Sequence, residues 1–288
     1  MIKMYIENFS KDANYPFCIQ YGSHEADLYM HTHADFSELV VVINGTAMHK
    51  VDNDAYFIKK GDVFVISNDT VHGYECTNDF KICNIMYRPD MFLSTDLDIR
   101  RSAGFHALFV IEPHLSKEHS FMNRLKLQLY DLEQVIRIIS IMVKEYEKRP
   151  DGWKTMINSY FMLLVVELSR AYNLMYIDEK IDVINIAKSI SFMECNYTTA
   201  ISIEELSAES NFSVRQFSRI FRDTYKMTPG HYILTLRIQH ACSLLKNTTL
   251  SVSEIAFQSG FNDSNYFSRQ FHKMFNVTPR DYRSQFLG

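Results

Sequence analysis

The sequence predicts an α+β chain in three parts: a small β-barrel or sandwich first, a helical middle, and an all-α tail. Three observations carry that prediction. Residues 1 to about 90 fall into short β-branched and aromatic runs separated by turn signals. From Ser116 the apolar period changes to three and four residues. Residues 202 to 282 contain one supersecondary unit written twice.

In the first part the turn signals are Asn44-Gly45, Asp52-Asn53-Asp54, Lys60-Gly61-Asp62, Ser67-Asn68-Asp69 and Thr77-Asn78-Asp79. Many short strands at that spacing predict a closed or sandwiched sheet. One constellation stands out within it. His31-Thr32-His33 is followed by Glu38 and Gly45, and further on Gly61 is followed by His72. Alternation puts His31 and His33 on one strand face. Three imidazoles with a carboxylate suit Zn, Ni, Fe or Mn, and equally could hydrogen-bond the hydroxyls of a sugar. Tyr29, Phe36, Tyr56, Tyr74, Asn84 and Arg88 are further pocket candidates, although most of these aromatics are expected in ordinary core. Asn84 and Arg88 lie two steps of alternation apart and so share a face.

That spacing resembles the cupin pattern, a small β-barrel with a central pocket. The resemblance implies that His31, His33, Glu38 and His72 occupy the four positions that hold a metal in metallo-cupins. Ser67 stands where the pattern has Pro, Asp69 where it has Gly, and Cys76 where it has Asn.

In the middle, Leu125, Leu129, Leu132, Ile136, Ile139 and Val143 form an amphipathic helical stripe. Arg149-Pro150-Asp151-Gly152 breaks it. A second helix is expected from about Trp153 to Tyr172, and its FMLLVV segment is apolar nearly all round. Such a helix must be covered on several sides, by the barrel and by a second chain, so a homodimer through these helices is expected.

The tail repeats helix, tight turn, helix. Ser202, Glu205, Leu206, Ser210 and Phe212 recur as Ser251, Glu254, Ile255, Ser259 and Phe261. Phe217, Ser218, Arg219, Phe221, Thr228, Pro229 and Tyr232 recur as Phe267, Ser268, Arg269, Phe271, Thr278, Pro279 and Tyr282, with one residue added in the second turn. Ser202 and Ser251 stand at capping-box spacing from Glu205 and Glu254. Asn211 and Gly260 occupy the turns, where positive φ is tolerated. Ser213 and Asp263 are the next N-caps. Phe217, Phe221 and Tyr225, and Phe267, Phe271 and Phe275, predict a buried stripe on each second helix. The opposite face carries Arg215, Ser218, Arg219 and Arg222 in one copy, and Asn265, Ser268, Arg269 and His272 in the other; Arg215, Arg219, Asn265 and Arg269 are the expected DNA contacts, with Ser213, Ser218, Ser264 and Ser268 at phosphates or base edges. Arg can bridge the two acceptors of guanine, Asn can pair with adenine, and Ser can meet phosphate or base. A helix from Pro229 to about Asn247 spans roughly 27 Å at 1.5 Å per residue. Recognition helices held about one DNA turn apart, roughly 34 Å, could enter successive major grooves.

Ile255-Ala256, Gly260-Phe261, Phe267, Arg269, Phe271 and Pro279 resemble the signature of the AraC/XylS transcription regulators. The resemblance covers about the last hundred residues. Lys226 and Asn276 stand where that family usually has Gly, and Lys in a left-handed conformation costs on the order of 1 kcal/mol. Such regulators often carry a cupin-type domain ahead of the DNA-binding one. The run from His33 to Arg88 looks most like the rhamnose-responsive members. These likenesses imply a sequence-specific activator of carbohydrate-use genes, controlled by a small sugar bound among Tyr29, His31, His33, Glu38, His72, Asn84 and Arg88, and not an enzyme. The expected partners are double-stranded DNA, the sugar, a second copy and RNA polymerase. A metal-dependent cupin enzyme fused to a DNA-binding module is the alternative, and a constitutive DNA binder with a filled barrel is a third. The expected division is residues 1–112 for the effector domain, 113–175 for the dimerisation helices, 176–182 for a linker and 183–288 for DNA binding.

Charge sharpens this picture. Residues 181–288 hold eleven Lys and Arg against nine Asp and Glu, a balance of +2, while the remainder stands at -6. So weak a basic surplus places the burden of DNA affinity on local arginine faces. Five scattered cysteines without a Cys-x-x-Cys pair fit reduced thiols in a cytoplasm. The apolar run Phe161–Val166 is too short to span a bilayer, and no signal peptide is expected.

Overall fold

The computed structural model describes residues 2–12, 14–24, 28–52, 54–93, 97–115, 124–175 and 182–285. By its contacts the chain forms two compact units, Met1–Ala187 and Lys188–Gly288. The expected linker lies outside the described residues except for Asp182. No helix among the described residues is long and apolar enough to cross a membrane, and none of the five cysteines is joined in a disulfide there.

The first unit is built on strands β1 (Ile2–Met4), β2 (Phe17–His24), β3 (Leu28–His33), β4 (Ser37–Val51), β5 (Asp54–Lys59), β6 (Asp62–Ile66), β7 (His72–Tyr87) and β8 (Leu125–Lys126). They pair in the order β1-β3-β7-β4-β6-β8, with β2 also on β7 and β5 also on β4. Val40 stands opposite both Asn84 and Phe64. One face of this sheet is a closed apolar cluster of Val40, Val42, Ala47, Ile58, Phe64, Ile66, Tyr74, Phe80 and Ile82.

Three of the five turn signals end strands, and two do not. Asn44-Gly45 and Thr77-Asn78-Asp79 are bends inside the long strands β4 and β7. Register shifts run from Val42 to Met48, and Gly45, Cys76 and Asp79 all have positive φ. The two bends meet: a Cβ on Gly45 would lie 2.1 Å from the Asp79 carbonyl oxygen. The bulge inserts a residue, so the inward face of β4 passes from Val40 and Val42 to Ala47, His49 and Val51.

The other face carries Phe17 and Tyr87 under two antiparallel helices, α4 (Leu129–Lys148) and α5 (Trp153–Met175). The Phe161 ring sits 5.7 Å from Phe17 and 4.9 Å from Tyr87, and the Tyr146 hydroxyl donates to the Phe17 carbonyl at 3.0 Å. Burying a side chain such as Phe161 contributes roughly 1.5–3 kcal/mol. The sheet therefore covers one side of the all-round apolar helix, while Met156 and Leu163 stay exposed. Arg149, at φ 50, and Gly152, at φ 80, turn the chain between the helices. Leu125 departs from the expected helical stripe, since it pairs as strand β8 with Val63. Short helical pieces unmarked by any periodicity also precede it: α1 (Pro89–Phe92), a 3-10 turn at Asp98–Arg101, α2 (Ala103–His106), a π-helical stretch at Ala107–Ile111 and α3 (Glu112–Leu115).

The tail follows the repeat closely. It comprises α6 (Asp182–Asn196), α7 (Ile203–Glu209), α8 (Val214–Tyr225), α9 (Pro229–Asn247), α10 (Val252–Gln258), α11 (Ser264–Phe275) and α12 (Pro279–Ser284). Both capping boxes form, with Ser202 and Ser251 accepting from the Glu205 and Glu254 amides. Such caps contribute about 1 kcal/mol each. Lys226 and Asn276 both take the left-handed conformation after α8 and α11, and the Lys226 ammonium donates to the Asp223 carbonyl at 2.7 Å.

Candidate functional site

The chain carries two candidate sites, one in each unit. In the tail, α8 and α11 each bury one face. Phe217, Ile220, Phe221 and Thr224 point inward from α8, and Phe267 and Phe271 from α11. The opposite face of α8 is left with Arg215 and Arg219 exposed and Ser218 half-buried. Asn265 and Arg269 are exposed on α11, with Ser264 and Ser268 half-buried. Helical spacing aligns each set along one stripe. Ser213 also caps α8, accepting from the Gln216 amide at 3.3 Å, while Asp263 does this for α11. Ser268 donates to the Ser264 carbonyl at 2.9 Å, so its hydroxyl proton is used within the helix.

In the barrel, His31 and His33 project from β3, Glu38 from β4 and His72 from β7, and all four are buried. One ligand atom from each of His31, His33 and His72 lies within 4.8 Å of the others. The Nε2 atoms of His33 and His72 are 3.2 Å apart. Glu38 Oε2 stands 3.5 Å from His33 Nε2 and 3.8 Å from His72 Nε2. His31 Nδ1 donates to the Tyr29 carbonyl at 3.0 Å, which leaves its Nε2 as the bare nitrogen. The Nδ1 atoms of His33 and His72 are buried with no hydrogen-bond partner among the described residues.

Burial decides the charge states. It pushes Glu38 up to about 8 and His33 down to about 3, and it lowers His31 and His72 as well. The group is thus a set of neutral rings around a neutral carboxyl, not a network of ion pairs. The pH dependence of stability follows from the signs. Native Glu38 keeps a proton between about 4.5 and 8 that the unfolded chain has lost, so stability falls across that window. Glu112, also pushed up to about 8 by burial, adds to the fall. The imidazoles act oppositely: from about 3 to 6.5 the unfolded chain binds protons the native rings refuse, so stability rises there. Chelator-treated protein should therefore melt highest near pH 6.5, and Glu38→Gln should remove about half of the decline between 6.5 and 8. A decline of unchanged size in that variant would contradict the assignment to Glu38.

Not every expected pocket residue joins the group. The Tyr29 side chain is 83% exposed, because β3 shifts register between Leu28 and His31 and alternation fails there. It contributes its carbonyl instead. The Arg88 guanidinium donates to the Asp35 carboxylate. Asn84 does share the inward face, and its Oδ1 is buried without a hydrogen-bond partner among the described residues. Phe36 stacks on the His33 ring at 4.3 Å.

A fourth histidine belongs to the same interior. His49 is fully buried, stacked at 4.7 Å on Phe64 and at 5.0 Å on Tyr74, with its ring 5.8 Å from that of His72. Simple alternation from Glu38 places position 49 outside; the Gly45 bulge brings it in.

Comparison with known proteins agrees with both halves. A family model described as an AraC-like ligand binding domain matches residues 14–134, and one described as a helix-turn-helix domain matches residues 206–285. The chain is 32% identical over 254 residues to the HTH-type transcriptional activator RhaS of Escherichia fergusonii, covering 87% of this chain and 86% of that one. It is 29% identical over 264 residues to the HTH-type transcriptional activator RhaR of Yersinia pestis, covering 89% and 85%. Among solved structures, the C-terminal domain of the response regulator yesN from Fusobacterium nucleatum is 33% identical, spans 33% of this chain and 93% of that domain, and superposes with a TM-score of 0.32. A DNA-reading tail in two copies behind a ligand-binding barrel, matched along nearly nine-tenths of its length by an activator, makes this chain a member of the AraC family of helix-turn-helix transcriptional activators.

Proposed function

We propose that this activator is controlled by a neutral sugar, of the deoxyhexose class, held inside the barrel by His31, His33, Glu38, His72 and Asn84, with His49 and Tyr74 lining the same interior. The single observation that carries the reading is the buried cluster of three imidazoles, a carboxyl and an amide. Neutral imidazoles, a neutral carboxyl and an amide suit hydroxyl groups, and burial makes each hydrogen bond selective. The likeness to the activators RhaS and RhaR along nearly nine-tenths of the chain supports a regulator of the same general kind. The sugar regulates by binding one arrangement of the chain better than another. Fluorimetric melting against a panel of monosaccharides tests it: a native-state ligand at 100 times its Kd stabilises by about 2.7 kcal/mol. No rise with any sugar would refute it.

A second reading concerns the same residues. Three imidazole nitrogens within 4.8 Å, with Glu38 beside them, fit a divalent Zn, Ni, Fe or Mn ion. When bound, such an ion would supply an electrophile that fixes a hydroxyl pair of the effector. Melting curves repeated with chelator separate the readings: a sugar shift that survives chelation removes the metal.

On DNA, the proposed contacts are Ser213, Arg215, Ser218 and Arg219 of α8, and Ser264, Asn265, Ser268 and Arg269 of α11. Arg219→Ala should weaken specific binding by about 1–3 kcal/mol and relax one base position. An unchanged footprint and affinity would reject that role. Assembly as a homodimer through exposed Ile141, Met156 and Leu163 of α4 and α5, and contact with RNA polymerase, complete the proposal. Sedimentation as a monomer at micromolar concentration would remove the dimer.

A further inference from the structure

The two helix-turn-helix units are not anchored alike. At the turn of the second, Gly260 has φ +87, and a Cβ there would lie 2.6 Å from Thr198 Cα and 2.7 Å from the Thr198 carbonyl oxygen. The turn is therefore in direct backbone contact with the chain just after α6. The matching turn of the first unit holds Asn211, at φ 57, whose side chain is exposed. Glycine at position 260 answers a demand for space as well as for backbone angle.

Thr198 is itself held from α9. Arg237, near the middle of that helix, donates from Nε to the Tyr197 carbonyl at 2.6 Å and from Nη2 to the Thr199 carbonyl at 2.7 Å. Its guanidinium carbon lies 6.0 Å from the centre of the Phe261 ring, the residue after Gly260. The Tyr197 ring meets His240, one turn further along α9, edge-on at 5.7 Å. One guanidinium thus brackets Thr198 from both sides, satisfying carbonyls at a helix end that lack helical partners. A planar fork of fixed geometry can span two such oxygens, and an ammonium or an amide cannot do so equally. The other end of α6's contacts reaches the first helix-turn-helix: Ser189 Oγ of α6 donates to the Leu206 carbonyl of α7 at 2.9 Å, and Tyr232 of α9 donates to Glu194 of α6.

We propose that Arg237 is a positioning residue for DNA reading: by bracing residues 197–199 against the Gly260 turn it fixes the angle of α11 relative to α8, and so sets the spacing between the two half-sites that the chain accepts. This rests on the reading that both α8 and α11 enter DNA. Without the brace, the second unit keeps its own fold but can swing to follow a displaced half-site, at a cost in affinity for the correctly spaced one.

The experiment uses the full chain and a duplex selected by it from a random library, with half-sites located by footprinting. A second duplex carries one base pair added between them, which displaces one half by roughly 3.4 Å and turns it by about a tenth of a helical turn. Wild-type protein should bind the lengthened duplex at least about tenfold more weakly, a difference of about 1.4 kcal/mol. Arg237→Gln and Arg237→Ala should bind the original duplex more weakly, and their penalty for the added base pair should shrink to about threefold or less. The ratio of two affinities does not depend on the fraction of protein that is folded, so partial unfolding cannot imitate this result. Equal weakening on both duplexes, with the penalty kept at its wild-type size, overturns the proposal. A wild-type chain with no spacing penalty would overturn the underlying two-helix reading and this inference with it.

Discussion

Phe267→Ala should dissolve the second helix-turn-helix unit and with it the outer half of the DNA footprint. Phe267 is fully buried in a cluster with Ile238, Ala241, Cys242, Leu245, Ile255, Ala256, Phe261 and Phe271. Its ring lies 5.0 Å from Phe261 and 5.6 Å from Phe271. Cutting Phe to Ala in such a place costs about 3–5 kcal/mol, from lost transfer energy and the cavity left behind. Domains of this size have only about 5–15 kcal/mol in hand. The urea transition of the tail should move by that amount, and protection over the second half-site should disappear at protein concentrations that still protect the first. A midpoint shift worth under about 1 kcal/mol would mean that the cavity collapses without cost and that the cluster is not the seat of the unit's stability.

The second large effect is expected at Gly104→Ala, where the sequence raises no alarm. In α2 this residue touches α5 backbone to backbone: a Cβ would stand 2.1 Å from the Ser169 carbonyl oxygen and 2.9 Å from Asn173 Oδ1. The Gly104 amide also donates to that Asn173 oxygen at 2.6 Å. No rotamer relieves a clash with a main chain, so one helix must move away from the other. Overpacking of this kind costs about 1–3 kcal/mol and occasionally more. For the barrel unit that corresponds to a melting point lower by on the order of 5–10 °C. A variant that melts with the wild type would show that α2 and α5 part easily.

The tail was readable because its signals are local. A capping box, a left-handed turn residue and a Thr-Pro start each act over three or four residues, and at Ser202, Asn211, Ser251, Gly260 and Pro279 they do what such residues do in isolation. The barrel was readable only in outline. Asn44-Gly45 and Thr77-Asn78-Asp79 look like hairpin turns because hairpins and bulges ask for the same backbone angles. What separates them is a partner far along the chain, here the Asp79 carbonyl against Gly45. The same limit hid His49, since strand parity cannot be carried through an unrecognised bulge. It also placed Leu125 in a helical stripe, although two residues of pairing with β6 take it into the sheet. The quartet of His31, His33, Glu38 and His72 was visible because its spacing is fixed within one short run and one later strand.

The corner at Gly45 has one more outcome, for how such barrels diverge. Loss of a single residue there would turn over the distal half of β4. Ala47 and His49 would leave the interior, while Met48 and Lys50 would enter it. A neutral chamber would acquire a cation, suited to acids or phosphate esters rather than to plain polyols. A change of length, with every side chain left as it is, would re-address the receptor to another class of metabolite.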